Sequence, residues 1–215
     1  MARNIDPVCK MCRREGIKLY LKGERCFSPK CPVSKEDSSS NPPGMHGARK
    51  SKTSEYGIRL REKQKLKRFY GILENQFRRY YQLATRSPMN TGEQLLSILE
   101  RRLDNIVHRL GLANCRTTAR QMVAHGHIQV NGIKCRVPSM LLKPGDVVKV
   151  KTRERSLKLS RDLLTRFPPR VPDFLALDNA QEEPSGRVIR MPNRQDVDER
   201  IGEIREQLII EIAAR

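Results

Sequence analysis

The chain has 215 residues and a formal net charge of +19, from 43 Lys and Arg against 24 Asp and Glu. Such an excess adds self-repulsion and nothing to a core, so a polyanion is the natural partner and nucleic acid comes first. Only 37% of the residues are hydrophobic, and no apolar run approaches the roughly 20 residues of a membrane span, which argues against a membrane protein.

The charge is unevenly placed. Residues 1–86 hold 21 basic and 8 acidic side chains, residues 101–161 hold 14 and 3, and residues 162–215 hold 8 and 11. Two segments therefore suit phosphate and the tail does not. Met1 to Pro7 has no apolar signal region, so the six cysteines read as reduced thiols or metal ligands in a cytosolic protein.

Residues 1–52 begin with a cysteine quartet. Two residues separate Cys9 from Cys12, and four separate Cys26 from Cys31. Each pair can chelate from one tight turn, which suits a tetrahedral structural zinc; free thiols or a Cys9–Cys12 redox pair are the alternatives. Four thiolates leave no open position for a catalytic water, and Lys10, Arg13, Arg14, Arg25 and Lys30 can offset their charge. A segment this small has little core, so metal would supply its folding energy. Cys115 and Cys135 lie far from the quartet and read as small packing residues. An irregular loop follows, with a basic knot at Arg49, Lys50 and Lys52.

Residues 53–100 read as helical. Leu66, Phe69, Tyr70, Leu73, Phe77, Tyr80 and Tyr81 form one apolar stripe in a helix from about Ser54 to Thr85. Before the stripe, Arg59, Arg61, Lys63, Lys65, Lys67 and Arg68 point to most sides of the helix, with Glu62 as the available acidic neighbour. That pattern suits RNA better than a solvated face, where acids usually interleave at i,i+4. Ser87-Pro88 breaks the helix. Thr91, three residues before Gln94, forms a capping box for a second helix with Leu95, Leu96, Leu99, Leu103, Ile106, Val107 and Leu110 on its face and Gly111 to stop it.

Residues 101–161 read as helix, helix, hairpin, strand. A short helix over Thr117–His125 stops at Gly126, and Asn131-Gly132 between alternating apolar residues signals a hairpin. Pro144-Gly145 turns the chain into a strand with Val147, Val148 and Val150. Arg102, Arg109, Arg116, Arg120, Lys134 and Arg136 come from neighbouring elements and can converge on one surface, where arginine forks suit phosphate. His125 and His127 flank Gly126 either as RNA contacts or as turn residues with satisfied ring nitrogens. With 5% aromatic residues and no Trp, the chain suits shape and phosphate reading better than base stacking. Residues 162–215 read as a proline-rich loop beyond Arg166 and a last helix from about Asp198 to Ile212, returning to the helical part. The fold class is thus α+β and mainly helical, with an inserted helix–helix–hairpin module. No P-loop, dinucleotide turn, Ser/His/Asp arrangement or carboxylate pair is present to suggest an enzyme.

The stretches Arg102-Leu-Asp-Asn-Ile-Val-His-Arg-Leu-Gly111, Thr117-Thr-Ala-Arg-Gln121, His125-Gly-His-Ile-Gln-Val-Asn-Gly132 and Lys143-Pro-Gly-Asp-Val147 resemble the small RNA-binding fold named after small-subunit ribosomal protein four. Outside that module, Tyr56 to Tyr70, Gln76 to Tyr81, Asn90-Thr-Gly-Glu93 and Glu206 to Glu211 are similar to the ribosomal family itself, and the cysteine quartet resembles its zinc-bearing branch. Phe174 departs from the pattern, where a tryptophan would be expected.

The resemblance implies a structural protein that binds small-subunit (16S) rRNA, nucleates assembly of its 5′ domain and influences decoding accuracy near the mRNA entry path. Small-subunit proteins three and five would be its neighbours, and one zinc its cofactor. It also implies RNA contacts at Arg59, Arg61, Lys63, Lys67, Arg68, Arg78 and Arg79 on the long helix. Arg102, Arg116, Arg120, Gln121, His125 and His127 join them from the module, beside the composition-based candidates Arg49, Lys50 and Lys134. A free RNA chaperone or translational repressor would share this binding chemistry.

Overall fold

The computed structural model describes residues 4, 6–34, 41–45, 47, 52–166, 169–178, 183–201 and 204–214. Arg49 and Lys50 lie outside them. The chain forms two compact units, Met1–Leu95 with Asp198–Arg215, and Leu96–Val197. No helix among the described residues is long and apolar enough to cross a membrane.

In the first unit, α1 (Val8–Glu15) carries Cys9 and Cys12 and ends at Gly16; a 3-10 turn (Gly23–Cys26) delivers Cys26. Sequence periodicity did not reveal α1, because eight residues with one buried side chain leave little stripe. α2 (Glu55–Tyr70) is capped by Ser54, whose hydroxyl accepts from the Gly57 N–H at 3.2 Å. α2 stops at Gly71, whose φ of 64° a side chain would resist. The Gly71 and Ile72 N–H groups close back on the Arg68 and Lys67 carbonyls as a Schellman pair. The single helix expected over 54–85 is therefore two, and α3 (Glu74–Thr85) sets off in a new direction.

That break changes which residues are buried. Leu66, Phe69, Tyr70, Phe77 and Tyr80 are core, but Leu73 precedes α3 and is 38% exposed. α4 (Thr91–Glu100) is capped one residue earlier than expected, with the Asn90 side chain accepting from Gly92 N–H at 2.9 Å. α8 (Glu206–Ala213) packs on α2 through Ile209 and Ile212. The helix expected from Asp198 is instead a 3-10 turn at Glu199–Ile201 followed by α8.

In the second unit, α5 (Leu103–Arg109) does not continue α4. Arg102 adopts an extended backbone and bridges Leu141, while the Leu103 and Asp104 N–H groups donate to the Met140 and Pro138 carbonyls. The apolar stripe runs on through this break, so periodicity could not show it. α6 (Arg116–His125) ends at Gly126 as expected. The hairpin of β1 (Ile128–Val130) and β2 (Ile133–Cys135) turns at Asn131 and Gly132, with φ of 50° and 80° as a type I′ turn requires.

β3 (Val147–Val150) pairs with β1, and β4 (Leu175–Asp178) and β5 (Ser185–Val188) complete an antiparallel sheet in the order β2-β1-β3-β5-β4. The tail beyond Arg166, expected as loop, thus contributes two strands, and α7 (Glu154–Arg166) was likewise not foreseen. Ile128, Val130, Val148 and Val150 face Leu103, Ile106, Leu110, Met122 and Val123, with Phe174 buried in the same core.

Candidate nucleic-acid interface and cysteine cluster

The register of the sheet assembles the second unit's polar face. Gln129 pairs with Lys134 on one side and Lys149 on the other, so these three side chains share the face opposite the core. The alternation continues past the strands to Arg136, Lys151 and Arg153. Gly126 brings α6 close beneath this row. Gly126 has a φ of 74°, which favours glycine, and a Cβ there would lie 2.2 Å from Lys134 Cε and 3.4 Å from Arg136 Nε, so the cation side chains run close over the helix end. The same turn sets His125 and His127 with stacked rings, 6.2 Å between centroids, and Ser156 Oγ sits 2.9 Å from His127 Nδ1.

These groups repel one another. Lys134 is depressed first by Arg136, then by burial, Lys151 and Arg153. His127 is lowered by burial, then by His125, Arg153, Lys134 and Lys151. Among the described residues, no carboxylate lies within ion-pair distance of Lys134, Arg136, Lys151 or Arg153. A patch of like charge with no internal counterion gains most from phosphate. Lys151 and Arg153 were not singled out from the sequence, although their i,i+2 spacing after Lys149 is the signal for one strand face.

The long-helix cations are placed differently. The sequence offers Glu62 as their neighbour, but the fold adds Glu15 of α1, Glu74 of α3 and Glu211 of α8. Lys63 and Lys67 reach Glu74 at 2.5 and 2.7 Å, Arg61 reaches Glu15 at 3.3 Å, Arg68 also binds Glu15, and Arg59 binds Glu211. Burial works against the Glu74 carboxylate, yet the hydrogen bonds from Lys63 and Lys67 hold its pKa down to about 2. Glu15 goes the other way: burial pushes its carboxyl up despite Arg68 and Arg61. The acids that meet these cations thus come from three different elements, and no single group neutralises them all. Arg78, 73% exposed and 3.6 Å from Glu74, and exposed Arg79 remain open to solvent on α3.

The expectation for Arg102 is corrected. It is 1% exposed and grips Asp104 through Nε at 2.9 Å, so it is a core ion pair and not a surface contact. Arg120 joins Asp104 at 3.3 Å, and Arg116 donates to Asn105 at 2.8 Å; both are half-buried struts between α5 and α6. Gln121 is exposed on α6.

The cysteine quartet is drawn together without a disulfide. Burial raises the Cys12 thiol, and the nearby Cys26, Cys9 and Cys31 raise it further, while a hydrogen bond from the Leu19 backbone opposes both. The Lys22 N–H points at Cys26 Sγ from 3.4 Å. Among the described residues, no three Cys, His, Asp or Glu side chains already stand as a metal site. Four free thiols, with the Leu19 backbone beside Cys12 and the Lys22 N–H beside Cys26, nevertheless fit a thiophilic cation by the chemistry of the set. Cys115 is buried beside Thr118 Oγ1, and Cys135 lies 3.5 Å from Met140 Sδ, apart from the quartet.

Comparison with known proteins finds two family matches that meet near residue 100. Residues 3–100 match the model for the ribosomal protein S4/S9 N-terminal domain, and residues 101–148 match the S4 domain. The chain is 50% identical to small ribosomal subunit protein uS4A of Symbiobacterium thermophilum over 215 residues, covering 100% of both chains. It is 51% identical to small ribosomal subunit protein uS4 of Halothermothrix orenii and 50% to uS4A of Alkaliphilus metalliredigens, again over the whole of each chain.

Proposed function

The chain belongs to the uS4 family of small ribosomal subunit proteins, and from that premise we infer how it holds its RNA. It is a structural, rRNA-binding constituent of the small subunit in the cytoplasm, and not an enzyme. The RNA-facing surface is the cation row of the second unit, and the observation that carries this is that Arg136, Lys151 and Arg153 crowd Lys134 with no described carboxylate paired to any of them. Lys134, Arg136, Lys151 and Arg153 take phosphates, with Gln121, His125 and His127 beside them. Arg78 and Arg79 offer further phosphate contacts on the first unit. Arg59, Arg61, Lys63, Lys67 and Arg68 mainly hold the protein's own acids and so shape the surface that RNA meets.

The rRNA bound is the 5′ domain of 16S rRNA, where the protein nucleates assembly, with proteins three and five and the mRNA entry path as later neighbours. The test is binding of the full chain to separate 16S domain fragments. Tight, salt-sensitive binding to the 5′ domain alone supports this reading; equal binding to every fragment leaves only a general polyanion binder.

Cys9, Cys12, Cys26 and Cys31 are the residues that would hold one structural zinc, whose binding would supply the folding energy that so small a segment lacks in a core. What supports this is the paired spacing of the four free thiols, two residues between Cys9 and Cys12 and four between Cys26 and Cys31. Metal analysis of protein carrying Cys115→Ala and Cys135→Ala should return one zinc per chain, and a folded metal-free segment would overturn it.

A further inference from the structure

Phe27 follows the 3-10 turn of the cysteine segment and is 64% exposed, whereas Phe69, Phe77 and Phe174 are fully buried. A phenyl ring left in water forfeits the stabilisation that burial would give it. This ring is nevertheless held. The Tyr20 ring lies 5.1 Å away at 33°, and the Arg200 guanidinium stands 5.6 Å from the Phe27 centroid, both within the range of favourable ring and cation–π contacts. Tyr20 is held at φ 51°, a conformation uncommon for a side-chain-bearing residue. The surroundings are cationic: Lys22, Arg25 and Lys30 are exposed, with Glu24 as the acid among them. Arg200 is itself partly exposed and only loosely approached by Asp198, at 4.0 Å.

A ring fixed in place, open to solvent and set among cations suits a nucleotide, whose base stacks while its phosphates meet the charges. A protein neighbour would sooner be met by an apolar rim, and the exposed side chains around this turn are mostly charged, with Pro29 beside them. We propose that Phe27, steadied by Tyr20 and Arg200, is a stacking platform for one unpaired RNA base. This is a local exception to the phosphate reading that dominates the rest of the chain. The base can come from an unpaired nucleotide of the folded rRNA or from a separate single strand, and the chemistry is the same.

The chain contains no Trp, so Phe27→Trp places a sole indole at the platform. Single-stranded oligoadenylate should quench the emission of full-length Phe27→Trp protein, and an abasic strand of equal length and charge should not. Phe27→Leu keeps apolar bulk without the π face. It should weaken oligoadenylate binding about 5- to 150-fold, the effect of one stacked base, while Phe27→Trp binds like the parent. Lys151→Ala with Arg153→Ala should leave the quenching in place, which separates the platform from the cation row. Quenching already complete in a 5′-domain complex assigns the base to rRNA. An indole still open there and quenched by added oligoadenylate assigns it to a second strand. Equal quenching by the abasic strand, or undiminished oligoadenylate binding by Phe27→Leu, overturns the proposal. So does a Phe27→Leu protein that binds oligoadenylate normally but loses a protein neighbour in the subunit, since the ring is then a protein anchor.

Discussion

Replacing Glu74 with Gln asks whether the long-helix cations belong to the protein or to RNA. Glu74 accepts from both Lys63 and Lys67, at 2.5 and 2.7 Å, and its pKa falls from 4.5 to about 2. At about 1.4 kcal/mol per unit, that shift corresponds to roughly 3.4 kcal/mol before screening. The carboxylate is 33% exposed, so solvent discounts this to about 1–2 kcal/mol. Because the folded value lies below the unfolded one, the stabilisation is present above pH 4.5 and fades as pH falls toward 2. Urea unfolding should therefore show Glu74→Gln weaker than the parent by about 1–2 kcal/mol at pH 7, with the gap closing as pH drops below about 4.5. The melting temperature should fall by about 2–8 °C. Equal stability at pH 7 together with tighter rRNA binding would refute the reasoning, because Lys63 and Lys67 would then be RNA ligands that Glu74 merely restrains.

The break at Gly71 predicts unequal costs along the former stripe. Leu66→Ala should lose about 2–5 kcal/mol from the core, and the half-exposed Leu73→Ala less than about 1 kcal/mol, by chemical denaturation. His127 is lowered by burial and then by the cations around it, so phosphate on that face should favour its charged form. Affinity for rRNA should rise as pH falls from about 7 to 6, and His127→Gln should flatten the rise. Without RNA the sign reverses: the unfolded chain takes the proton more readily, so stability declines as pH falls below about 6.5. Chelation of the zinc proposed for the quartet should melt the cysteine segment, read as faster hydrogen exchange over residues 8–31, while the sheet of the second unit stays protected.

Local signals were legible and tertiary ones were not. Asn131-Gly132 and Gly126 act within a few residues, so the hairpin and the end of α6 could be read directly. Gly71 and Arg102 interrupt helices whose apolar spacing continues across the break, which hides it from any periodic count. Ser185-Gly186-Arg187 has no apolar alternation, because β5 gains its place by pairing with β3 and β4. The charges show the same divide most sharply. Lys63, Lys67, Arg61 and Arg68 look unbalanced in sequence because Glu74 and Glu15 reach them only through folding. Lys134, Arg136, Lys151 and Arg153 look no more basic, yet folding sets Arg136, Lys151 and Arg153 where they act on Lys134, and no described carboxylate forms an ion pair with the four.

The salt dependence of rRNA binding tests that contrast directly. Removing one cation that neutralises a phosphate lowers the slope of log affinity against log salt by about 0.7–0.9. Arg136→Ala, Lys151→Ala and Arg153→Ala together should lower it by about 2–3, while Lys63→Gln with Lys67→Gln should leave it unchanged in the folded fraction. A slope unmoved by the first set and lowered by the second would contradict the account.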